Sequence, residues 1–136
     1  MYFSRKLMAT IHKQFMIDAP IDRVWSKMSD LVGVHSLLGM LTNAEVDGDI
    51  RVCQTKDGAS LKELIVSVDS EQKRLVYAIT ESPFNFEFHS ASWQAIPDGD
   101  GTIFEWYTDL KPDRLAETIE LIIDGERENI IKGLSS

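Results

Sequence analysis

Few side chains in this sequence can do acid–base or covalent chemistry, and their spacing narrows the options further. Cys53 is the only cysteine. A lone thiol excludes an internal disulfide and a multi-thiolate zinc site. It stands in Arg51-Val52-Cys53-Gln54, a strand-like run where a small buried thiol is the usual role and a nucleophile the alternative. The histidines, His12, His35 and His89, are scattered over the chain, so no metal site is expected. The stretch Gly33 to Gly39 lacks the lysine and hydroxyl of a phosphate loop and reads as a mobile entrance flap. Two glutamates sit in strand-like runs. Glu63 and Ser67 oppose Leu64, Val66 and Val68; Ile103, Glu105, Tyr107 and Asp109 oppose Phe104, Trp106 and Leu110. Simple amphipathicity buries the even positions and leaves both glutamates in water.

The elements that must carry these groups are punctuated by single turn signals. Alternation predicts a first strand over 10–17, stopped by Asp18-Ala19-Pro20. A short helix follows over 21–29 with Val24, Trp25 and Met28 on one face, which makes Trp25 either a core anchor or a pocket roof. A second short helix or turn covers 31–38. Strand character over 45–55 is broken at Asp47-Gly48-Asp49, and Lys56-Asp57-Gly58 signals a hairpin. Further strands are predicted over 61–68, 74–80, 84–96 and 102–110, the last two joined around Pro97-Asp98-Gly99-Asp100-Gly101. From Asp113 the period becomes helical, with Leu115, Ile119, Ile122, Ile123, Glu126 and Ile130 on one stripe and Gly133 as the stop. Gly125 inside that helix marks close packing or a bend. The result is α+β: six or seven antiparallel strands, two short helices after the first, and one long C-terminal helix. Only that last helix is long enough to cover a sheet face, so the sheet must curl round it.

With 136 residues, 43% hydrophobic and 26% charged, the chain suits one globular domain. That domain is expected over 8–136, with residues 1–7 as an N-terminal extension. A net charge of -8 and a pI near 4.8 repel phosphate backbones, so no nucleic acid is expected as a partner. No apolar run approaches the roughly 18 residues of a membrane helix, so no membrane insertion is expected. The opening residues lack the apolar core of a secretory signal, and the cytoplasm is the expected compartment.

The run Ile17-Asp18-Ala19-Pro20-Ile21-Asp22-Arg23-Val24-Trp25 resembles the opening signature of the polyketide cyclase/dehydrase-like branch of the SRPBCC superfamily, which also includes START domains, birch pollen allergen proteins and abscisic acid receptors. Further matches keep the family order: Asp30-Leu31, Glu63-Leu64-Ile65 with Asp69, Leu75 to Ile79, Ser92-Trp93, then Gly99 to Thr102 leading to Glu105-Trp106. The resemblance runs from Met8 to the C-terminus. It implies a helix-grip fold with a hollow between the concave sheet and the last helix, roofed by the early short helices.

By the same resemblance, alternate residues of the later strands face the hollow: Leu61, Glu63 and Ile65; Tyr77 and Ile79; His89, Ala91 and Trp93; Ile103, Glu105 and Tyr107. Ile119 and Ile122 join them from the helix. This parity places Glu63 and Glu105 inside, against the amphipathic reading, with His89 as their only nearby partner. His89 itself is otherwise a half-buried strand histidine with one hydrogen bond. Mostly apolar walls with a few polar groups suit a small apolar ligand, a lipid, polyketide or aromatic-like molecule, with no cofactor. The alternatives are a cyclase or dehydratase, with Glu105 or Glu63 accepting a proton and His89 or Tyr107 donating one, and an interaction module with a closed interior. If the odd positions face inward, Leu64, Val66, Val76, Phe88, Phe104 and Trp106 form an apolar convex face that a symmetric homodimer would cover.

Overall fold

The computed structural model describes residues 8–136. Seven strands form one antiparallel sheet: β1 (Ala9–Ile17), β2 (Leu41–Asp47), β3 (Ile50–Thr55), β4 (Ser60–Asp69), β5 (Arg74–Glu81), β6 (Phe88–Asp98) and β7 (Gly101–Lys111). Their spatial order is β1-β7-β6-β5-β4-β3-β2, so the first strand closes onto the last and every other pairing is between chain neighbours. Between β1 and β2 lie helix α1 (Ile21–Met28) and a 3₁₀ turn (Val32–Ser36). The curved sheet wraps a C-terminal helix, the helix-grip arrangement. The extension expected over 1–7 lies outside the described residues.

Three departures from the expected elements have physical causes. The C-terminal helix is not continuous. A 3₁₀ turn (Asp113–Leu115) leads into α2 (Ala116–Gly125), and α3 (Arg127–Ser135) follows after a break at Glu126. A methyl added at Gly125 would meet nothing within 4 Å, so this glycine marks a bend and not a close approach. Gly133 is not a stop but lies inside α3, where an added Cβ would come within 2.7 Å of Leu37 and 3.2 Å of the Ser36 carbonyl. There the glycine lets the 3₁₀ segment rest on the helix. Finally, β6 begins at Phe88 and not at 84. Residues 82–87 form a bend held by Ser82, whose hydroxyl donates to the Phe84 carbonyl and accepts from the Phe84 N–H.

The core lies between the sheet and the helices. Phe15, Trp93, Phe104 and Leu110 from the sheet meet Val24 and Met28 of α1 and Ile130 and Leu134 of α3. Trp25 is part of that core. Lys13 on β1 reaches across to Glu120 at 2.8 Å and Asp124 at 3.1 Å, pinning α2 to the sheet edge. Both carboxylates raise the Lys13 pKa.

The registers decide which side chains face the core. In an antiparallel pair, directly opposed residues share a face. Asp98 opposes Gly101 across the two-residue turn Gly99-Asp100, so odd residues of β6 share a face with even residues of β7. His89, Ala91 and Trp93 therefore sit beside Leu110, Thr108 and Trp106. Strand β7 thus follows its own amphipathic pattern, while β4 does not: Glu63 is 5% exposed and Val66 55%. Parity read along one strand does not carry over to the next through a turn of even length.

Candidate functional site

A cavity of about 90 Å³ lies between the concave face and the C-terminal helix. Val34, Leu38 and Met40 roof it, Ile119, Ile122 and Ile123 of α2 form one wall, and Leu61, Glu63, Tyr77, Ile79, His89, Trp93 and Trp106 form the sheet side. The segment expected as a mobile flap is this roof, and it is packed: Val34 and Leu37 are buried. The cavity shares Met40, Leu61, Phe84 and Ile122 with a larger outer recess, which continues to Thr55, Lys56, Asp57, Ala59 and Pro83. The way in runs between the β3–β4 turn and the 82–87 bend.

Of the thirteen residues expected to face the hollow, eight line this cavity, namely Leu61, Glu63, Tyr77, Ile79, His89, Trp93, Ile119 and Ile122, and Ile65 does not reach it. Ala91 faces inward and is buried but does not reach the cavity wall. Ile103, Glu105 and Tyr107 are corrected by the β6–β7 register, which turns them to the convex face. There Glu105 accepts from Gln14 at 2.6 Å and lies 3.1 Å from His12 Nε2. Tyr107, 40% exposed, stacks on the His12 ring at 4.1 Å.

Glu63 does face inward, and its partner is Arg51 rather than His89. Arg51 Nε donates to Glu63 Oε1 at 2.7 Å, with the guanidinium 1% exposed and its Nη1 on the Leu31 carbonyl at 3.1 Å. The guanidinium also lies over the Tyr77 ring, 5.7 Å from its centroid. This residue was missed, although the hairpin at Lys56-Asp57-Gly58 carries the signal: the register that sets Cys53 opposite Leu61 also sets Arg51 opposite Glu63. The Cys53 thiol donates to Glu63 Oε1 at 3.6 Å, and burial with the Glu63 charge pushes its pKa up to about 12. It is an inert buried thiol. Burial, and then Glu63, also raises the Tyr77 phenol, against the pull of Arg51 and the neighbouring Trp106.

His89 stands where β5 and β6 part. Their ladder ends at Tyr77 and Ala91, and beyond it the Ile79 N–H donates to His89 Nδ1 at 2.9 Å. This single hydrogen bond fixes the tautomer, since an accepting Nδ1 leaves the proton on Nε2. Burial lowers the His89 pKa to about 4, with Asp109 acting weakly the other way. At neutral pH the ring is an uncharged N–H donor lining the cavity.

The last polar group was visible in the sequence as a glutamate on an apolar helical stripe. Glu126, at the α2–α3 break, lines the cavity and is 8% exposed. Its Oε2 is buried without a hydrogen-bond partner, and its side chain does not cap α3. The indole N–H groups of Trp93 and Trp106 are likewise buried without a partner of good geometry. Among the described residues, no group of three or more His, Cys, Asp and Glu side chains is gathered as a metal site.

Comparison with known proteins agrees with this fold. Residues 8–134 match the family described as polyketide cyclase / dehydrase and lipid transport. No curated protein matches the chain. Among solved structures, an uncharacterized protein from Bacillus thuringiensis superposes with a TM-score of 0.80 at 17% identity, covering 93% of this chain and 96% of that one. A Thermobifida fusca protein gives 0.77 at 22% identity, covering 93% and 90%. Norcoclaurine synthase from Thalictrum flavum, solved with dopamine and hydroxybenzaldehyde, gives 0.72 at 19% identity, covering 99% and 92%.

Proposed function

Because the chain belongs to the polyketide cyclase / dehydrase and lipid transport family, we propose that it acts as a single domain over residues 8–136 that binds a small, largely apolar ligand in the cavity. The observation that carries this reading is the lining itself: aliphatic and aromatic walls that include residues whose polar atoms are buried without hydrogen-bond partners among the described residues, namely Trp93 Nε1, Trp106 Nε1 and Glu126 Oε2. Polar groups buried unpaired cost about 1–3 kcal/mol each, which an interior filled only by its own side chains has no reason to retain. Norcoclaurine synthase, similar in fold, was solved with two small aromatic molecules, which supports a ligand of that kind here.

Binding is favoured over turnover. A cyclisation or dehydration needs a proton acceptor and donor to converge. Glu105 and Tyr107 are on the other face of the sheet, and Glu63 is engaged by Arg51. His89 and Glu126 remain, the one as a donor able to orient a ligand oxygen and the other as an unpaired acceptor, with no hydrogen bond between them.

The three tryptophans supply the test, since Trp93 and Trp106 line the cavity and Trp25 does not. Titration with a neutral aromatic probe such as benzyl alcohol is expected to shift the Trp93 and Trp106 indole N–H resonances and leave Trp25 in place. Leu61→Trp, which fills the cavity, should abolish the shift; Val66→Trp on the convex face should not. Equal movement of all three indoles, or none, would overturn the assignment.

A further inference from the structure

The charges in the cavity do not balance. Three ionisable groups other than the neutral His89 and the phenol of Tyr77 line it: Arg51, Glu63 and Glu126. Arg51 is committed to Glu63 at 2.7 Å, so that pair presents no net charge. Glu126 is left with one carboxyl oxygen buried and, among the described residues, no cation, no donor and no capping role. The residues of α2 that line the cavity with it, Ile119, Ile122 and Ile123, offer nothing polar. An uncompensated carboxylate in such a place favours a positively charged partner over a neutral one and strongly over an anion.

Resting on the proposed function, we propose that the cavity selects small aromatic or alicyclic molecules bearing a protonated amine, with Glu126 as the counter-ion that receives the ammonium group. The apolar body packs on α2 and the sheet aromatics, and an oxygen substituent, where the ligand has one, meets the Nε2–H of His89. Arg51 adds no net positive charge for a ligand carboxylate, because Glu63 already balances it. The same cavity therefore discriminates among molecules of one shape by the sign of a single substituent.

Benzylamine, benzyl alcohol and benzoate are nearly isosteric and differ in that sign. Near neutral pH, where the amine is protonated, their dissociation constants are to be measured on the intact chain from the Trp93 and Trp106 indole shifts. The amine is expected to bind at least about tenfold more tightly than the alcohol, the size of one charge-assisted hydrogen bond, and benzoate more weakly than both. Glu126→Gln, which keeps shape and removes charge, should erase the amine preference, bringing the amine and alcohol constants within about twofold of each other. An alcohol that binds as well as the amine to the unaltered chain would overturn the proposal and leave the binding cavity standing. So would an amine preference that survives Glu126→Gln. If none of the three probes moves either indole, both the proposal and the cavity function fall. The wild-type selectivity decides the matter even if the variant does not fold.

Discussion

Arg51 and Glu63 can be buried only together. Either charge alone in this interior costs several kcal/mol, and the pair survives there because each supplies what the other lacks. His89 solves its burial differently, by staying neutral. In the unfolded chain its imidazole titrates near the ordinary 6.5, in the folded chain near 4. Between those values the unfolded chain takes up a proton that the folded chain refuses. Stability from this group is thus full above about pH 6.5 and is lost as the pH falls towards 4, by roughly 3 kcal/mol at most. Denaturant midpoints should fall over that window. His89→Asn, which keeps an acceptor for the Ile79 N–H but does not titrate, should flatten this part of the profile; an unchanged slope would point to other groups. Glu63, His89 and Trp93 were legible in the sequence as cavity residues because their strands keep the expected parity. Glu105 and Tyr107 were not, since the two-residue turn at Gly99-Asp100 exchanges odd for even, and only the register of a hairpin records that exchange.

At the scale of elements, alternation and turn residues located the expected six or seven strands, though β2 only from Glu45 when it begins at Leu41, and the shift to a helical period located the C-terminal helix. The break at Glu126 was harder to see, because a glutamate on an apolar stripe reads as one misplaced residue in a continuous helix. The two glycines of this helix have opposite roles and should respond oppositely to alanine. At Gly125 there is open space, so Gly125→Ala is expected to raise stability by about 1 kcal/mol through helix propensity, while straightening the bend that turns Glu126 inward. At Gly133 the new methyl would press on Leu37 and the Ser36 carbonyl, and Gly133→Ala should cost about 1–3 kcal/mol and loosen the roof. Urea midpoints compared at equal m-values test both signs. A stabilised Gly133→Ala would mean that the roof can shift without loss.

For the molecule as a whole, two sides of the sheet now have distinct tasks. The concave side carries the cavity, while the convex side is largely polar around His12, Glu105 and Tyr107. Phe104 and Trp106 are buried inward, so of the expected convex apolar face Leu64, Val66, Val76 and Phe88 remain, joined by Ile103, and the argument for a homodimer loses two of its three aromatic members. Among the described residues no helix is long and apolar enough to cross a membrane.

The outer recess has a consequence of a different kind, for time rather than for equilibrium. Under the proposed function, a molecule at rest in the cavity would touch Met40, Leu61, Phe84 and Ile122 but would meet Lys56 and Pro83 only in passage. A change confined to that outer ring alters the barrier without altering the well, so association and dissociation must speed or slow by the same factor. Pro83→Gly, which frees the 82–87 bend, is expected to raise kon and koff together by several-fold, roughly one kcal/mol of barrier, at constant Kd. Lineshapes of the Trp93 indole during titration report both rates, and a Kd that moves with koff alone would place Pro83 in the resting site. How long a ligand stays can thus be tuned on the rim while how tightly it is held is set by the walls within.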